Sequence, residues 1–457
     1  MDRPGGTTPL LARDEPDSLC AQTASNLASL LRSRAISASE VLEAHLDRIA
    51  VVNPKINALV TLDAEAAMDR ARALDAQAAE GSFAGPLHGI PVAIKDIFDA
   101  EGMQTTFGSR TKAHDVPKRD SIHVARLRAA GAIIIGKTNT SEFAFGAQTT
   151  NPVFGVTRNP YDLTRTVSGS SGGAAAALAA GLTVLADGSD LGGSIRAPAG
   201  FTGVVGLRPT ARLVPLQGTA LPFDNLNVPG PMARSLDDTR LMLEVMAGAS
   251  SLDPWSQEIA PAKGLKARGL RVAWCLTPGG APIDSKIAAV LLPIRVRLAE
   301  LGAEIVVIDP GLGFMLEAQQ IFRDWSALLE IGDGWRRNFD LFGPEIQRTL
   351  IRAEALTASD LARAYASRRK GWELMHAFFE KYDVCVWPTN SQMPYGADAD
   401  VSELDLDETS TLVTPLLGIP ALSVPVGLTS DGFPVGVQFI GPRHSDLDIL
   451  RIAQEVT

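Results

Sequence analysis

The stretch Ser168-Gly169-Ser170-Ser171-Gly172-Gly173-Ala174-Ala175-Ala176-Ala177-Leu178-Ala179-Ala180-Gly181, followed by Thr183-Val184-Leu185 and then Gly188-Ser189-Asp190-Leu191-Gly192-Gly193-Ser194-Ile195-Arg196, sets out turn, helix, strand and second turn in one short span. The alanine run 174–180 reads as a helix, and 183–185 as a strand leading to the second glycine turn. Upstream, the Val- and Ile-rich runs 90–94 and 132–135 read as buried strands with a helix over 121–130 between them. Further back, 24–32 and the alanine-rich 64–79 have helical periodicity. Ser37-Ala38-Ser39-Glu40 matches a capping box opening a helix through Ile49. Downstream, strands are predicted at 270–274, 304–308, 384–387, 422–426 and 435–440, with 204–207 a short apolar run of undetermined type. Helices are predicted at 285–301, over much of 315–380 with breaks at 332–334 and Gly343-Pro344, and from Asp446 onward.

This alternation predicts an α/β fold, a single large domain with a mixed, mostly parallel central sheet flanked by helices. No internal repeat or low-complexity linker divides the chain. Residues 1–16, rich in Pro, Gly and Thr, read as a flexible N-terminal tail on a domain covering 17–457.

At 457 residues, 46% hydrophobic and 21% charged, the composition is that of a globular protein with a large core. The net charge of −10 argues against nucleic acid as partner, since such binding needs a basic surface. Three scattered cysteines and six histidines without an HxH or HExxH cluster offer neither a disulfide framework nor a local metal motif. No apolar run reaches the roughly 18 to 20 residues of a membrane span, and the N-terminus lacks the apolar stretch of a signal peptide. The expectation is a cytoplasmic protein with no metal, cofactor, nucleic-acid or membrane partner, either monomeric or homodimeric.

Three stretches carry side chains suited to chemistry. Lys95 ends the apolar run 90–94, where burial would lower its basicity and make it a competent general base; a lysine snorkelling from a strand end beside Asp96 would look the same. Gly169-Ser170-Ser171-Gly172-Gly173 satisfies G-x-S-x-G, which would make Ser171 the nucleophile of an α/β-hydrolase with His376 or His444 downstream. It also suits an anion cradle at a helix N-terminus, although the Gly-Lys-Ser/Thr of a P-loop is missing. Gly192-Gly193-Ser194 places bare backbone before a serine, as in an oxyanion-binding nest or simply a glycine turn. Taken together, a lysine and two serines form a serine-lysine variant of the catalytic triad, with Ser170 able to relay a proton between Ser194 and Lys95.

In this order the three stretches resemble the amidase signature family of serine hydrolases. Ser170 and Ser194 stand 24 residues apart, the family's usual spacing. The likeness extends through Gly136-Lys137-Thr138-Asn139-Thr140-Ser141-Glu142-Phe143-Ala144-Phe145-Gly146, Arg196-Ala197-Pro198-Ala199, Gly418-Ile419-Pro420-Ala421-Leu422-Ser423-Val424-Pro425 and Gly432-Phe433-Pro434-Val435-Gly436-Val437-Gln438. Departures are Ser168, Leu191 and Thr202, where the family often has glycine, threonine or isoleucine, and cysteine.

The resemblance implies Ser194 as nucleophile, Ser170 as bridging serine after a cis Gly169-Ser170 bond, and Lys95 as general base. It implies an oxyanion hole from the N–H groups of Leu191, Gly192, Gly193 and Ser194, with Ala144 and Gly146 near the acyl pocket. The implied activity is cofactor-free hydrolysis of C–N bonds in small N-aryl or N-alkyl amides, with esters and urethanes (carbamates) also in range. Apolar stretches at 213–223 and 321–329 are candidate pocket walls. Two alternatives stand beside it: the glutamine-hydrolysing subunit of a tRNA amidotransferase, which belongs to the same family, and a non-catalytic binding protein on this scaffold.

Overall fold

The computed structural model describes residues 18–216, 225–280, 282–406 and 409–457. The expected N-terminal tail, 1–16, lies outside the described residues. Thirteen strands are found among them: β1 (Leu59–Leu62), β2 (Pro91–Lys95), β3 (Ile133–Thr138), β4 (Arg158–Asn159), β5 (Asp162–Thr166), β6 (Leu185–Asp190), β7 (Val205–Arg208), β8 (Val228–Ala233), β9 (Arg271–Trp274), β10 (Glu304–Val307), β11 (Val384–Pro388), β12 (Ala421–Leu428) and β13 (Pro434–Ile440). Eleven of these form one sheet in the order β1-β3-β2-β6-β8-β7-β12-β13-β11-β9-β10, and β4 pairs with β5 apart from it.

The predicted mixed α/β sheet flanked by helices is present, and its parallel pairing is concentrated in two wings. Strands β3-β2-β6 run parallel on one side and β11-β9-β10 on the other. Between them, β6-β8-β7-β12-β13-β11 pair antiparallel, as does the β1 edge. The centre escapes sequence reading partly because of β8, whose Val228-Pro229-Gly230-Pro231 looks like a loop. Both prolines sit where β8 pairs with β6 alone, since the β7 pairing covers only Met232 and Ala233, so they spoil no second ladder.

The β3-β2-β6 wing is buried on both faces, as apolar runs without alternation require, whereas the edge strand β10 is largely exposed. Every residue of β2, β3 and β6 is buried. The capping box at Ser37 and Glu40 forms as predicted, but its helix runs to Ile56 rather than stopping at Ile49. Pro54 lies inside its last turn, where it leaves one ladder hydrogen bond unmade. Leu42, Leu74, Leu127 and Met242 from helices Ala38–Ile56, Ala64–Ala79, Ile122–Ala129 and Leu236–Met246 join Ile94, Ile133 and Leu185 in one core.

The alanine helix Gly172–Ala179 is buried at every residue. Its small side chains let its N-terminus close on the sheet, and a Cβ on Gly173 would come within 2.3 Å of the Asn139 nitrogen, just past β3. This close approach brings the first serine turn over the end of β2, where Lys95 stands.

Candidate active site

Lys95 is fully buried. Its Nζ lies 2.7 Å from Ser170 Oγ, 2.9 Å from Ser171 Oγ and 2.9 Å from Ser189 Oγ. Burial drives its basicity down, and the nearby Asp187 and Asp190 only partly oppose this, leaving it at about 7. A neutral amine has two N–H donors and one lone pair, so one of three surrounding hydroxyls must point its proton at nitrogen. Ser171 Oγ already faces the Ser189 carbonyl and N–H. Ser170 Oγ and Ser189 Oγ have no other hydrogen-bond partner among the described residues, so either can turn its proton to Lys95.

The turn holding Ser170 has a cis Gly169-Ser170 bond, and Ser168 before it takes φ +65°. Thr149 Oγ1 fixes it, donating to the Ser168 carbonyl at 2.9 Å and accepting the Gly172 N–H at 3.0 Å. The two serine turns are tied directly, the Ser171 N–H donating to the Ser194 carbonyl at 3.1 Å. Ser171 itself is buried against Lys95, while His376 is exposed and His444 lies beside Thr210. The histidine partners of the α/β-hydrolase alternative are therefore absent from Ser171.

The second turn is organised by Asp190. Arg196 grips its carboxylate with Nε and Nη2, both at 2.9 Å, and all three side chains of Asp190, Arg196 and Arg208 are buried. Burial works against the charge of Asp190, but the two guanidiniums overcome it and hold the carboxyl at about 2. Arg196 continues to the Thr411 carbonyl, Thr414 and Gln438, pinning the turn to the far end of the chain.

One expectation changes here. The Gly193 N–H, expected in an oxyanion hole with those of Leu191, Gly192 and Ser194, donates instead to Asp190 Oδ1 at 2.9 Å. Gly193 is needed instead for its backbone: φ is +106°, and a Cβ would meet Thr411 Oγ1 at 2.3 Å.

A family model described as Amidase matches residues 40–450. The chain belongs to the Amidase family. An acylamidase from Rhodococcus erythropolis is 37% identical over 94% of this chain and 94% of its own. A glutamyl-tRNA(Gln) amidotransferase subunit from Acidothermus cellulolyticus is also 37% identical, over 95% of this chain and 93% of its own. Among solved structures, a bacterial aryl acylamidase of the amidase signature enzymes superposes with TM-score 0.86 at 28% identity, covering 95% of each chain. A 6-aminohexanoate cyclic dimer hydrolase superposes at 0.85 and 28%, covering 96% of each.

In this amidase the two turns open onto a cavity of about 160 Å³, lined by Ser194, Gly169, Ser189, Leu191 and Gly192 on the side of the turns. The predicted Ala144 and Gly146 line it too, with Phe143 and Phe145. Of the stretch 213–223, Pro215 and Leu216 reach the cavity, and 217–223 lie outside the described residues. The stretch 321–329 behaves differently from its apolar reading. Helix Leu316–Ile331 turns Ile321, Phe322 and Ala327 into the core, and presents Arg323, Ser326 and Glu330 to the cavity. Its apolar residues recur at helical spacing, the signature of a core face.

The cavity of this amidase also touches His123, a residue whose sequence setting, one histidine on a short helix, gives no functional signal. Ser189 and Asp187, two apart on one face of β6, are likewise missed; the only cue to them is their place just before the second turn. Among the described residues no cluster of His, Cys, Asp or Glu could hold a metal ion, and no helix is long and apolar enough to cross a membrane.

Proposed function

We propose that this enzyme hydrolyses small N-aryl and N-alkyl amides, with esters and urethanes as further substrates, through an acyl-enzyme on Ser194. The observation that carries the reading is Ser170 Oγ held 2.7 Å from a buried lysine whose basicity is lowered to about 7, beside a cavity that Ser194 lines. Neutral Lys95 accepts the Ser170 proton as Ser170 accepts that of Ser194, whose Oγ attacks the carbonyl carbon. The Leu191, Gly192 and Ser194 N–H groups receive the developing oxyanion. The C–N bond then breaks as the proton returns through Ser170 to the leaving nitrogen. Water repeats the sequence on the acyl-enzyme, releasing the acid and restoring Ser194. Every proton is borrowed and returned, so the cycle needs no cofactor.

The aryl preference is supported by Phe98, Phe107, Phe143 and Phe145 on the cavity wall, since aromatic rings pack well edge-to-face or offset against a substrate ring. A second reading, the glutamine-hydrolysing subunit of an amidotransferase, is favoured by the amidotransferase relatives at 36–37% identity. A hydrolysis panel of anilides, primary amides, N-aryl carbamates and glutamine separates the two. Turnover of anilides and carbamates, lost in Ser194→Ala, is the expected result. Activity on glutamine alone would replace the substrate assignment, and near-native rates in Ser194→Ala would overturn the mechanism.

A further inference from the structure

Strand β6 lies parallel to β2, yet the paired register stops at Ala93 and Ala186. One step on, a side chain takes over the ladder: Asp187 Oδ1 accepts the Lys95 backbone N–H at 2.6 Å. The other oxygen, Oδ2, lies 2.8 Å from His123 Nε2. Asp187 is completely buried and His123 is 1% exposed. A carboxylate in such a place needs good partners, since an isolated buried charge is strongly unfavourable. His123 is itself braced edge-on by Phe98, with ring centroids 4.6 Å apart, and it forms part of the cavity wall.

The other charges around Lys95 are already spoken for. Asp190 on β6 is matched by Arg196 and Arg208. Asp96, directly after Lys95, receives the Thr106 N–H at 3.0 Å and faces Lys137 on β3. Asp99 and Asp120 stand further off, beside Lys137. Asp187 has no guanidinium partner among the described residues: the buried Lys137 acts on it from β3, and the ionisable side chain hydrogen-bonded to it is an imidazole.

We propose that the buried His123–Asp187 pair positions Lys95 and sets the pH at which it can take a proton. The inference rests on Lys95 being the general base. A bare carboxylate on Asp187 favours the ammonium form of Lys95, and the hydrogen bond from His123 Nε2 spreads and weakens that charge. The same carboxylate clamps the main chain of Lys95, so the aim of Nζ at Ser170 depends on it. His123 is thus a positioning residue that acts through Asp187, with the lysine as the group that moves the proton.

The test follows the rate at which a fluorophosphonate labels Ser194 as a function of pH, a readout that requires no substrate. In the native enzyme the rate should rise through an acid limb as Lys95 loses its proton. Asp187→Asn should move that limb to lower pH by about one unit. His123→Leu, which leaves the carboxylate without its donor, should move it the opposite way, and His123→Gln, which restores a donor, should bring it back towards the native position. Limbs that stay in place in folded Asp187→Asn and His123→Leu, or that move in the same direction, would overturn the proposal. Should Asp187→Asn fail to fold, the contrast between His123→Leu and His123→Gln decides alone: equal limbs refute it. Lys95→Ala serves as the separate control, because a limb surviving in that variant refutes the general-base reading rather than the role of the pair.

Discussion

Two fully buried lysines stand on neighbouring parallel strands, Lys95 at the end of β2 and Lys137 on β3, with Lys137 in register with Ile94. Burial lowers both, to about 7 for Lys95 and about 8 for Lys137, against opposing carboxylates in each case. What separates them is what they touch. Lys95 faces three hydroxyls, which can give a proton as well as receive one. Lys137 donates to the Phe98 carbonyl and to Thr105 Oγ1, 2.8 Å away. A carbonyl can only accept, and the Thr105 hydroxyl gives its own proton to the Met103 carbonyl at 3.2 Å, so Lys137 keeps its protons to satisfy its neighbours. Lowered basicity is common to both lysines; on the proposed mechanism the capacity to pass a proton belongs to Lys95, which has three hydroxyl partners.

The largest expected effect tests that division directly. Lys95→Ala should lower kcat by about 10²- to 10⁴-fold, the usual worth of a positioned base, measured as initial rates on whichever panel substrate the native enzyme turns over fastest. Lys137→Met should change kcat by less than about threefold while lowering stability by about 1 to 3 kcal/mol, since it strands a buried carbonyl and hydroxyl; thermal melting reads the loss. If Lys137→Met is as inactive as Lys95→Ala and still folded, the comparison breaks. The pH profile sharpens it. Lys95 acts as a base only when neutral, so kcat/KM should rise with pH through about 7, and that limb should be unmoved in Lys137→Met. A limb centred near 8 that disappears in Lys137→Met would assign the base to the wrong strand. The smallest effect is Thr105→Val, expected to cost about 1 kcal/mol of stability with an unchanged limb.

The two lysines also mark what can be read from residue order. Lys95 and the serine turns were legible because each motif is local, a strand end or a glycine turn whose neighbours in sequence are its neighbours in space. The α/β alternation was legible for the same reason, as in the wing of β3, β2 and β6, where apolar runs buried on both faces leave a plain pattern. The antiparallel centre was not, because Pro229 and Pro231 disguise β8 and its pairing depends on which side of the strand lacks a partner. His123 and Asp187 are 64 positions apart and meet only because the first turn of helix Ile122–Ala129 brings the imidazole against β6. The engagement of Gly193 by Asp190 is equally invisible, since it turns on the direction of a single N–H.

Arg196 reaches the Thr411 carbonyl, Thr414 and Gln438. A growing polypeptide on the ribosome can therefore form the wing of β3, β2 and β6 early, but it cannot lock the turn that presents Ser194 until β13 has emerged. A product broken off before Gln438 would keep Lys95, Ser170 and Ser194 but lack part of the clasp around Arg196.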